Sequence, residues 1–162
     1  MTTTGTTQTQ DNTSAQIGLV IVRLTIGAML VGVFFENLGK NLYTPMGYAG
    51  LINNYIQHDR APALWKSVMA LAASHASVAA PLQGFTEISL GVLLLLGLFT
   101  RAAGVIAFAF LCSLWISEFG VGWIWELLVF MMAALAVGVG RAGRKWGIDA
   151  ILARRNPSSL FW

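Results

Sequence analysis

The chain has 162 residues, of which 56% are hydrophobic and only 10% charged, a balance far from that of a typical soluble protein. This composition predicts an integral membrane protein, and the length suits a single domain. The net charge of +3 is small and the basic residues form no stripe interleaved with aromatic side chains, so we expect no nucleic-acid partner. The lone cysteine, Cys112, excludes an internal disulfide and a cysteine-held cluster.

The chain opens with a polar tail and continues into a first apolar run. Residues 1–16 are rich in Thr and Gln with one acid and no base, which predicts a disordered tail without the positive start of a signal peptide. The run from Ile17 to Phe35 gives about 28 Å of helix at ~1.5 Å per residue, enough to cross a bilayer. At its end, Glu36 and Lys40 are spaced to form an ion pair on one helix face.

Arg23 interrupts this first run about two turns from its start. Two interpretations are open. Its guanidinium either reaches back along the helix to the inner membrane surface, as long basic side chains do, or pairs with an acid inside the membrane.

A long connection, residues 41–80, separates the first run from the second. It contains two short helical patterns, Met46 to Gln57 and Ala63 to Ala79, with polar residues between them. The second pattern includes Lys66 and His75 and is too polar for a membrane span. We therefore predict that the connection folds over the outer face, with the second pattern as a surface or re-entrant helix.

The stretch from Pro81 to Arg101 is nearly all apolar and yet contains the carboxyl group of Glu87. A charged side chain in the apolar part of a spanning helix costs at least about 2.5 kcal/mol, so a partner must meet it. Steps of three and four residues lead from Glu87 to Gly84 and Gly91, small residues that let another helix come close. We predict a second span whose Glu87 face points into a helix bundle.

Two further spans complete the membrane domain. Ala102 to Ser117 is the third, with Glu118 at its end, and Trp123 to Gly140 is the fourth, with Glu126 one turn inside. The predicted fold is an all-α, integral membrane four-helix bundle over residues 17–143.

The distribution of basic residues predicts the orientation. Arg101 lies on the same side of a four-span chain as a C-terminal group, Arg141, Arg144, Lys145, Arg154 and Arg155. The positive-inside rule then places both termini in the cytoplasm. We expect the membrane to be the inner one. In residues 144–162 basic and apolar side chains segregate at helical spacing, which predicts an amphipathic helix on an anionic membrane surface.

Carboxyl groups and indoles collect in the outer third of the predicted bundle, about 21 Å or more from the inner helix ends at ~1.5 Å per residue. The candidate pocket residues are Glu87, Glu126, Trp115, Trp123, Glu36 and Lys40. We predict that Glu87 and Glu126 approach each other or a shared ligand. In the alternative interpretation, the tryptophans form an interfacial belt, and Glu36 and Glu118 are solvated helix ends.

Several motifs occur together in a recognisable order. They are Arg23 and Gly27, Gly39-Lys40, Glu87 and Gly91, the run LGLFTR at 96–101, and the ending with AGR at 142–144 and GID at 147–149. Their order and spacing resemble the DoxX superfamily. The long connection and the ending resemble its DoxD branch, named for the small membrane subunit of thiosulfate:quinone oxidoreductase. The resemblance covers about residues 17–153 and implies a four-helix membrane protein, often a partner subunit, with electron transfer from thiosulfate to quinone in some members.

Two functions from different classes follow. The first is a small inner-membrane DoxD-like subunit whose outer-leaflet pocket takes a quinone or similar amphiphile, with carboxyl groups that accept or donate protons. The second is a non-catalytic structural or accessory subunit of a larger respiratory or photosynthetic membrane complex. Both imply the lipid bilayer and other membrane subunits as partners. The sequence contains no recognisable catalytic triad, phosphate loop, redox cofactor motif or Cys/His cage, so we assign no catalytic residue and expect no metal site.

Overall fold

The computed structural model describes residues 4–159 and residue 161, with side chains from Thr13 onward except that of Ile124. All regular structure in this part of the chain is helical. The helices are α1 (Thr4–Gly39), α2 (Pro45–His58), α3 (Ala63–Ser74), α4 (Ala76–Leu96), α5 (Thr100–Ser117), α6 (Ile124–Val139) and α7 (Ile148–Arg155), with a 3-10 turn at Ala142–Arg144.

Three stretches in the described part of the chain are long and apolar enough to cross a membrane, namely Thr13–Gly39 of α1, α4 and α5. The predicted fourth span corresponds to α6, which is apolar but only 16 residues long. At ~1.5 Å per residue α6 measures about 24 Å, short of a hydrocarbon core of ~30 Å. The all-helical membrane architecture is confirmed, with three helices that meet the length and hydropathy of a span.

The predicted disordered tail differs from the structure. Helix α1 begins at Thr4 and continues unbroken to Gly39, so residues 4–16 are helical, whereas residues 1–3 lie outside the described part. Once the apolar stretch has formed a helix, each further residue gains a backbone hydrogen bond without a new nucleation cost. The polar Thr and Gln residues therefore extend the helix.

The long connection is helical, but its second pattern divides differently from the prediction. Helix α3 ends at Ser74, and α4 begins at Ala76 and includes Pro81, which we had expected to start the span. Between them His75 leaves helical geometry, with φ −113° and ψ 34°. The Ser74 hydroxyl donates to the carbonyl of Leu71, an interaction that competes with continuation of the helix.

Close contacts between glycines bring the long helices together. Helix α1 meets α4 where Gly27 faces Gly91, and a Cβ on Gly27 would lie 3.0 Å from the Gly91 carbonyl oxygen. Helices α5 and α6 approach in the same way at Gly104 and Gly138. The residues buried between these four helices are mostly aliphatic. The predicted role of small residues in helix approach is confirmed for Gly91.

The hairpin formed by α2 and α3 packs against α4 and α5. Three hydrogen bonds fasten it to residues 117–119, which close α5. Tyr55 Oη donates to Glu118 Oε1 (3.0 Å), Trp65 Nε1 to Ser117 Oγ (2.9 Å), and the amide of Arg60 to the Phe119 carbonyl (2.6 Å). The hairpin is thereby held over one end of the bundle.

The prediction of one continuous surface helix in the C-terminal segment is wrong. Residues 142–144 form a 3-10 turn, Gly147 is extended, and α7 covers only Ile148–Arg155. Trp146 and Ile151 remain exposed, so contact of this segment with a membrane surface stays a prediction.

Asp149, in the first turn of α7, is 1% exposed. Its two carboxylate oxygens accept the backbone N–H groups of Phe99 and Thr100, each at 2.8 Å. These are amides at the start of α5, where Phe99 occupies the cap position and forms no side-chain cap hydrogen bond. Asp149 therefore caps α5 from a distant part of the chain.

Arg23 meets the same segment and is also 1% exposed. Its Nη1 donates to the carbonyl of Ala142 at 3.4 Å, and its Nη2 donates to that of Trp146 at 3.1 Å. The charge of Asp149 also acts on it. The predicted reach to the solvated inner surface is wrong, because the C-terminal segment covers the guanidinium. The interpretation in which Arg23 interacts with an acid is closer to the structure.

The turn between α4 and α5 leaves little room beside Arg23. Gly97 has φ +64°, a left-handed conformation that favours glycine, and a Cβ there would clash with the Arg23 guanidinium. Gly143 is equally confined, since a Cβ at this position would clash with the side chains of Thr100 and Asp149. We call Arg23, Gly97, Thr100, Gly143 and Asp149 the Asp149 cluster.

Candidate ligand-binding cavity

A cavity of about 630 Å³ lies between the hairpin and the long helices. Its lining comes from α1 to α6 and includes both polar and apolar side chains. The ionisable groups on its walls are Glu36, Lys40, Tyr48, Tyr55, Glu87, Glu118 and Glu126. A volume of this size lies within the range of small-molecule sites.

Glu87 is 1% exposed and sits in the middle of α4. Its Oε2 accepts a short hydrogen bond from the Tyr43 hydroxyl and a longer one, 3.4 Å, from the Asn37 side-chain amide. The Tyr43 ring stacks on Phe34 with centroids 5.2 Å apart and lies against Gly84. The small residue one turn before Glu87 thus makes room for the ring that holds its carboxyl group.

The groups that donate hydrogen bonds to Glu87 are uncharged, and Lys40 forms its ion pair with Glu36 instead. Lys40 Nζ lies 2.5 Å from Glu36 Oε1, the predicted ion pair, and both side chains are largely exposed. Within the described side chains, Glu87 forms no salt bridge. Burial, and secondly the hydrogen bond to Glu87, raise the pKa of Tyr43, so its hydroxyl remains a donor at neutral pH. An ionised Glu87 would therefore be an uncompensated charge inside the bundle.

A second tyrosine–carboxyl pair stands where α5 ends. Tyr55 holds Glu118, and burial is the main cause that raises the pKa of both groups. The hydrogen bond from Tyr55 lowers the pKa of Glu118, and the nearby charge of Glu126 raises it. Glu126 itself is exposed in the first turn of α6. Glu118 and Glu126 thus form an acidic rim, which we call the cavity mouth.

The structure places the candidate pocket residues in two groups. Those that line the cavity are Glu36, Lys40, Glu87 and Glu126. Trp115 and Trp123 instead border a separate shallow depression beside Glu118. Trp115 packs edge-on against Phe119, and Trp123 is 72% exposed. Glu126 lies close to Glu118, whereas the hydrogen bonds found for Glu87 come from Tyr43 and Asn37.

Sequence reasoning missed three polar residues of this site: Asn37, Tyr43 and Tyr55. Tyr43 lies in the turn after α1, where Asn41 has φ +57°, and it contacts Glu87 44 residues further along the chain. A contact between residues so far apart in the chain cannot be predicted from local periodicity. The one available signal was chemical, since a carboxyl group inside an apolar helix requires a donor and tyrosines occur in the adjoining connection.

Comparison with known families gives one decisive result. A family model described as the TQO small subunit DoxD, where TQO is thiosulfate:quinone oxidoreductase, matches residues 19–160. The chain belongs to the DoxD family. Membership, together with the apolar helices, indicates a small membrane subunit of a quinone oxidoreductase. No curated protein and no solved structure matched the chain.

The motifs that carried the DoxD resemblance occupy two places in the fold. Glu87 lies on the cavity wall, with Gly91 one turn further along α4 against α1. Arg23, the LGLFTR run and the ending converge on the Asp149 cluster instead. Among the described side chains, no group of three or more His, Cys, Asp and Glu is placed to hold a metal ion. Much of the motif set therefore builds the fold, and Glu87 and Lys40 are the members that line the cavity.

Proposed function

We propose that this DoxD chain binds a quinone headgroup in the cavity and takes part in quinone-linked electron transfer. The observation that carries the proposal is Glu87, a buried carboxyl group on the wall of a 630 Å³ cavity, held by neutral donors. In a spanning helix such a group usually faces a ligand or proton pathway. A quinone supplies two carbonyl oxygens that can accept a hydrogen bond from a carboxyl O–H.

The charges on the cavity walls favour a neutral ligand over thiosulfate. Four carboxyl groups line the cavity, those of Glu36, Glu87, Glu118 and Glu126, against one amine, that of Lys40. This amine is already paired with Glu36. A dianion would meet like charge at the mouth and no free cation in the lining. We therefore place thiosulfate oxidation on a partner subunit and the quinone in this chain.

Glu87 has a direct chemical role in this proposal. As an acid it donates a hydrogen bond to a quinone oxygen, and as a carboxylate it accepts the proton that a quinol releases. Tyr43 and Asn37 act as positioning residues, because they fix one oxygen of the carboxyl group and so orient the other. Electrons would come from, or pass to, a partner subunit.

Replacing Glu87 by leucine is expected to weaken binding of a short-chain ubiquinone analogue by about 10- to 100-fold, since one buried hydrogen bond is lost. Glu87→Gln keeps size and hydrogen-bonding capacity and should stay within about 3-fold of the wild type. Titration of the purified protein in detergent, followed by tryptophan quenching, measures both affinities.

Phe85→Leu is the matched control on α4, because Phe85 is 69% exposed and points away from the cavity lining. It should leave the affinity unchanged. Wild-type affinity in Glu87→Leu, or no detectable binding by the wild type, contradicts the quinone site.

The same proposal includes four spans with both termini in the cytoplasm of the inner membrane. Helix α6 supports this as the fourth span, because its 16 residues are almost wholly apolar and pack along α5. Local thinning of the bilayer can compensate for the short length of α6. The flanking residues Trp123 and Arg141 can also extend it to the two membrane interfaces. The distribution of Lys and Arg described above supports the orientation.

Single cysteines on a Cys112→Ser background test this topology. Gln57→Cys should react with an impermeant maleimide only from the periplasmic side, and Arg155→Cys only from the cytoplasmic side. Both positions are exposed. Labelling of both from one side argues against α6 as a span, and the reverse pattern argues against the orientation.

An accessory structural role is the second candidate, and one observation favours it. The carboxyl group of Glu87 is already paired inside the chain, with Tyr43 and Asn37. In that role the cavity would hold lipid or water, and the wild type would bind no quinone in the titration above. The two candidates are therefore separated by the same experiment.

A further inference from the structure

The cavity joins two carboxyl sites at different depths. Glu87 lies about 15 Å along α4 from Gly97, and Glu118 lies about 28 Å along α5 from Phe99, at ~1.5 Å per residue. Because α4 and α5 are joined by this short turn, the two carboxyl groups are separated by about 13 Å along the bundle. Both line one continuous cavity. Glu87 thus marks its deep end, and Glu118 with Glu126 marks its mouth.

Polar side chains line the space between the two ends. They are Gln83 of α4 and Ser113 and Ser117 of α5. Both serine hydroxyls donate to backbone carbonyls of their own helix. The Ser117 oxygen also accepts from Trp65 Nε1 and keeps one lone pair for a further donor. At ~30 Å³ per water molecule the 630 Å³ cavity has room for on the order of 20 waters, enough for a continuous chain.

Charged groups do not interrupt this path. The Glu36–Lys40 pair is largely exposed at the edge of the cavity, and the two charges offset each other. Tyr48 and Tyr55 also line the cavity, and burial raises the pKa of each hydroxyl, so both remain neutral donors. The charge of Glu126 acts on Glu118, so the two carboxyl groups lie near each other at the cavity mouth.

We propose that the cavity is a proton-transfer route in which Glu118 and Glu126 exchange protons with the aqueous phase and pass them along water to Glu87. Going inward, a carboxyl O–H at the mouth gives its proton to a water oxygen, and the last water protonates the Glu87 carboxylate. Release follows the reverse order, and no electron moves in these steps. The inference rests on the proposed function for its purpose, since Glu87 would deliver the proton to the quinone oxygen.

The route can be tested without quinone, by infrared spectroscopy of the purified ligand-free protein. The protonated Glu87 carboxyl is identified as the C=O band that disappears in Glu87→Gln. Its exchange is then timed after transfer into D2O. In the double variant Glu118→Gln/Glu126→Gln we expect exchange at least about 10-fold slower, because positioned acids speed proton transfer by 10² or more.

Arg155→Gln is the matched control, because it also removes one charge by substitution with glutamine but lies at an exposed position outside the cavity lining. It should exchange at the wild-type rate. If the double variant does not fold, Glu126→Gln alone, at an exposed position, should show the slower exchange to a smaller degree. Wild-type exchange in the mouth variants, or absence of a protonated Glu87 band between pH 5 and 8, overturns the route. Neither result depends on quinone binding, so the two proposals fail separately.

Discussion

Replacing Asp149 by alanine is expected to lower the free energy of unfolding by about 3 to 5 kcal/mol, the largest effect that we predict for one residue. Two N–H groups at the start of α5 lose a charged acceptor in a buried place. The Arg23 guanidinium loses the nearby negative charge at the same time. Unfolding in mixed micelles with increasing dodecyl sulfate, followed by circular dichroism, measures the change.

Two further variants test whether the loss of stability in Asp149→Ala comes from the lost cap. Asp149→Asn keeps an acceptor for one amide and should lose about half as much stability, while Ile151→Ala, at an exposed site on the same short helix, should change stability by less than ~0.5 kcal/mol. A loss below ~1 kcal/mol in Asp149→Ala would show that α5 does not need this cap.

The second large effect is expected at Arg23, where substitution by methionine should lower the free energy of unfolding by about 2 to 4 kcal/mol. Methionine fills similar space but cannot donate to the carbonyls of Ala142 and Trp146. It also leaves the buried Asp149 without its neighbouring positive charge. The same unfolding titration in mixed micelles measures this loss of stability.

The double variant Arg23→Met/Asp149→Asn separates charge from hydrogen bonding. If the charges act on each other, the double variant loses less stability than the sum of the two single variants. Arg23→Lys retains the charge but lacks the planar fork that reaches two carbonyls, so an intermediate loss is expected. Strict additivity in the cycle would mean that the two groups stabilise the fold independently.

The parts of the fold that were predictable depend on local pattern. Apolar runs marked α1, α4 and α5, because a bilayer requires a length of apolar helix that can be counted from sequence. Small residues spaced around Glu87 marked the helix face at which α1 approaches. The start of α4 was misplaced because Pro81 was taken as a boundary, although the break in helical geometry occurs at His75.

The parts that were not predictable depend on contacts between distant residues. Asp149 was read as one charge of a surface helix, yet the amides it caps are 49 and 50 residues away. The expectation that Glu87 needs a polar partner is confirmed, and the partners are Asn37 near the end of α1 and Tyr43 in the turn that follows it. Periodicity shows that a buried polar group must be satisfied, and only the folded chain shows by which residue.

The position of Arg23 also has a consequence for biosynthesis. Its carbonyl partners lie 119 and 123 residues later in the chain, so the first helix enters the membrane long before they leave the ribosome. During that interval the nascent protein carries a guanidinium without its final partners, at a depth that the finished bundle seals. Both acceptors of Arg23 are therefore in place only after residues 142–146 have joined the fold. A product that ends before Ala142 keeps the Arg23 guanidinium without either of these carbonyl acceptors.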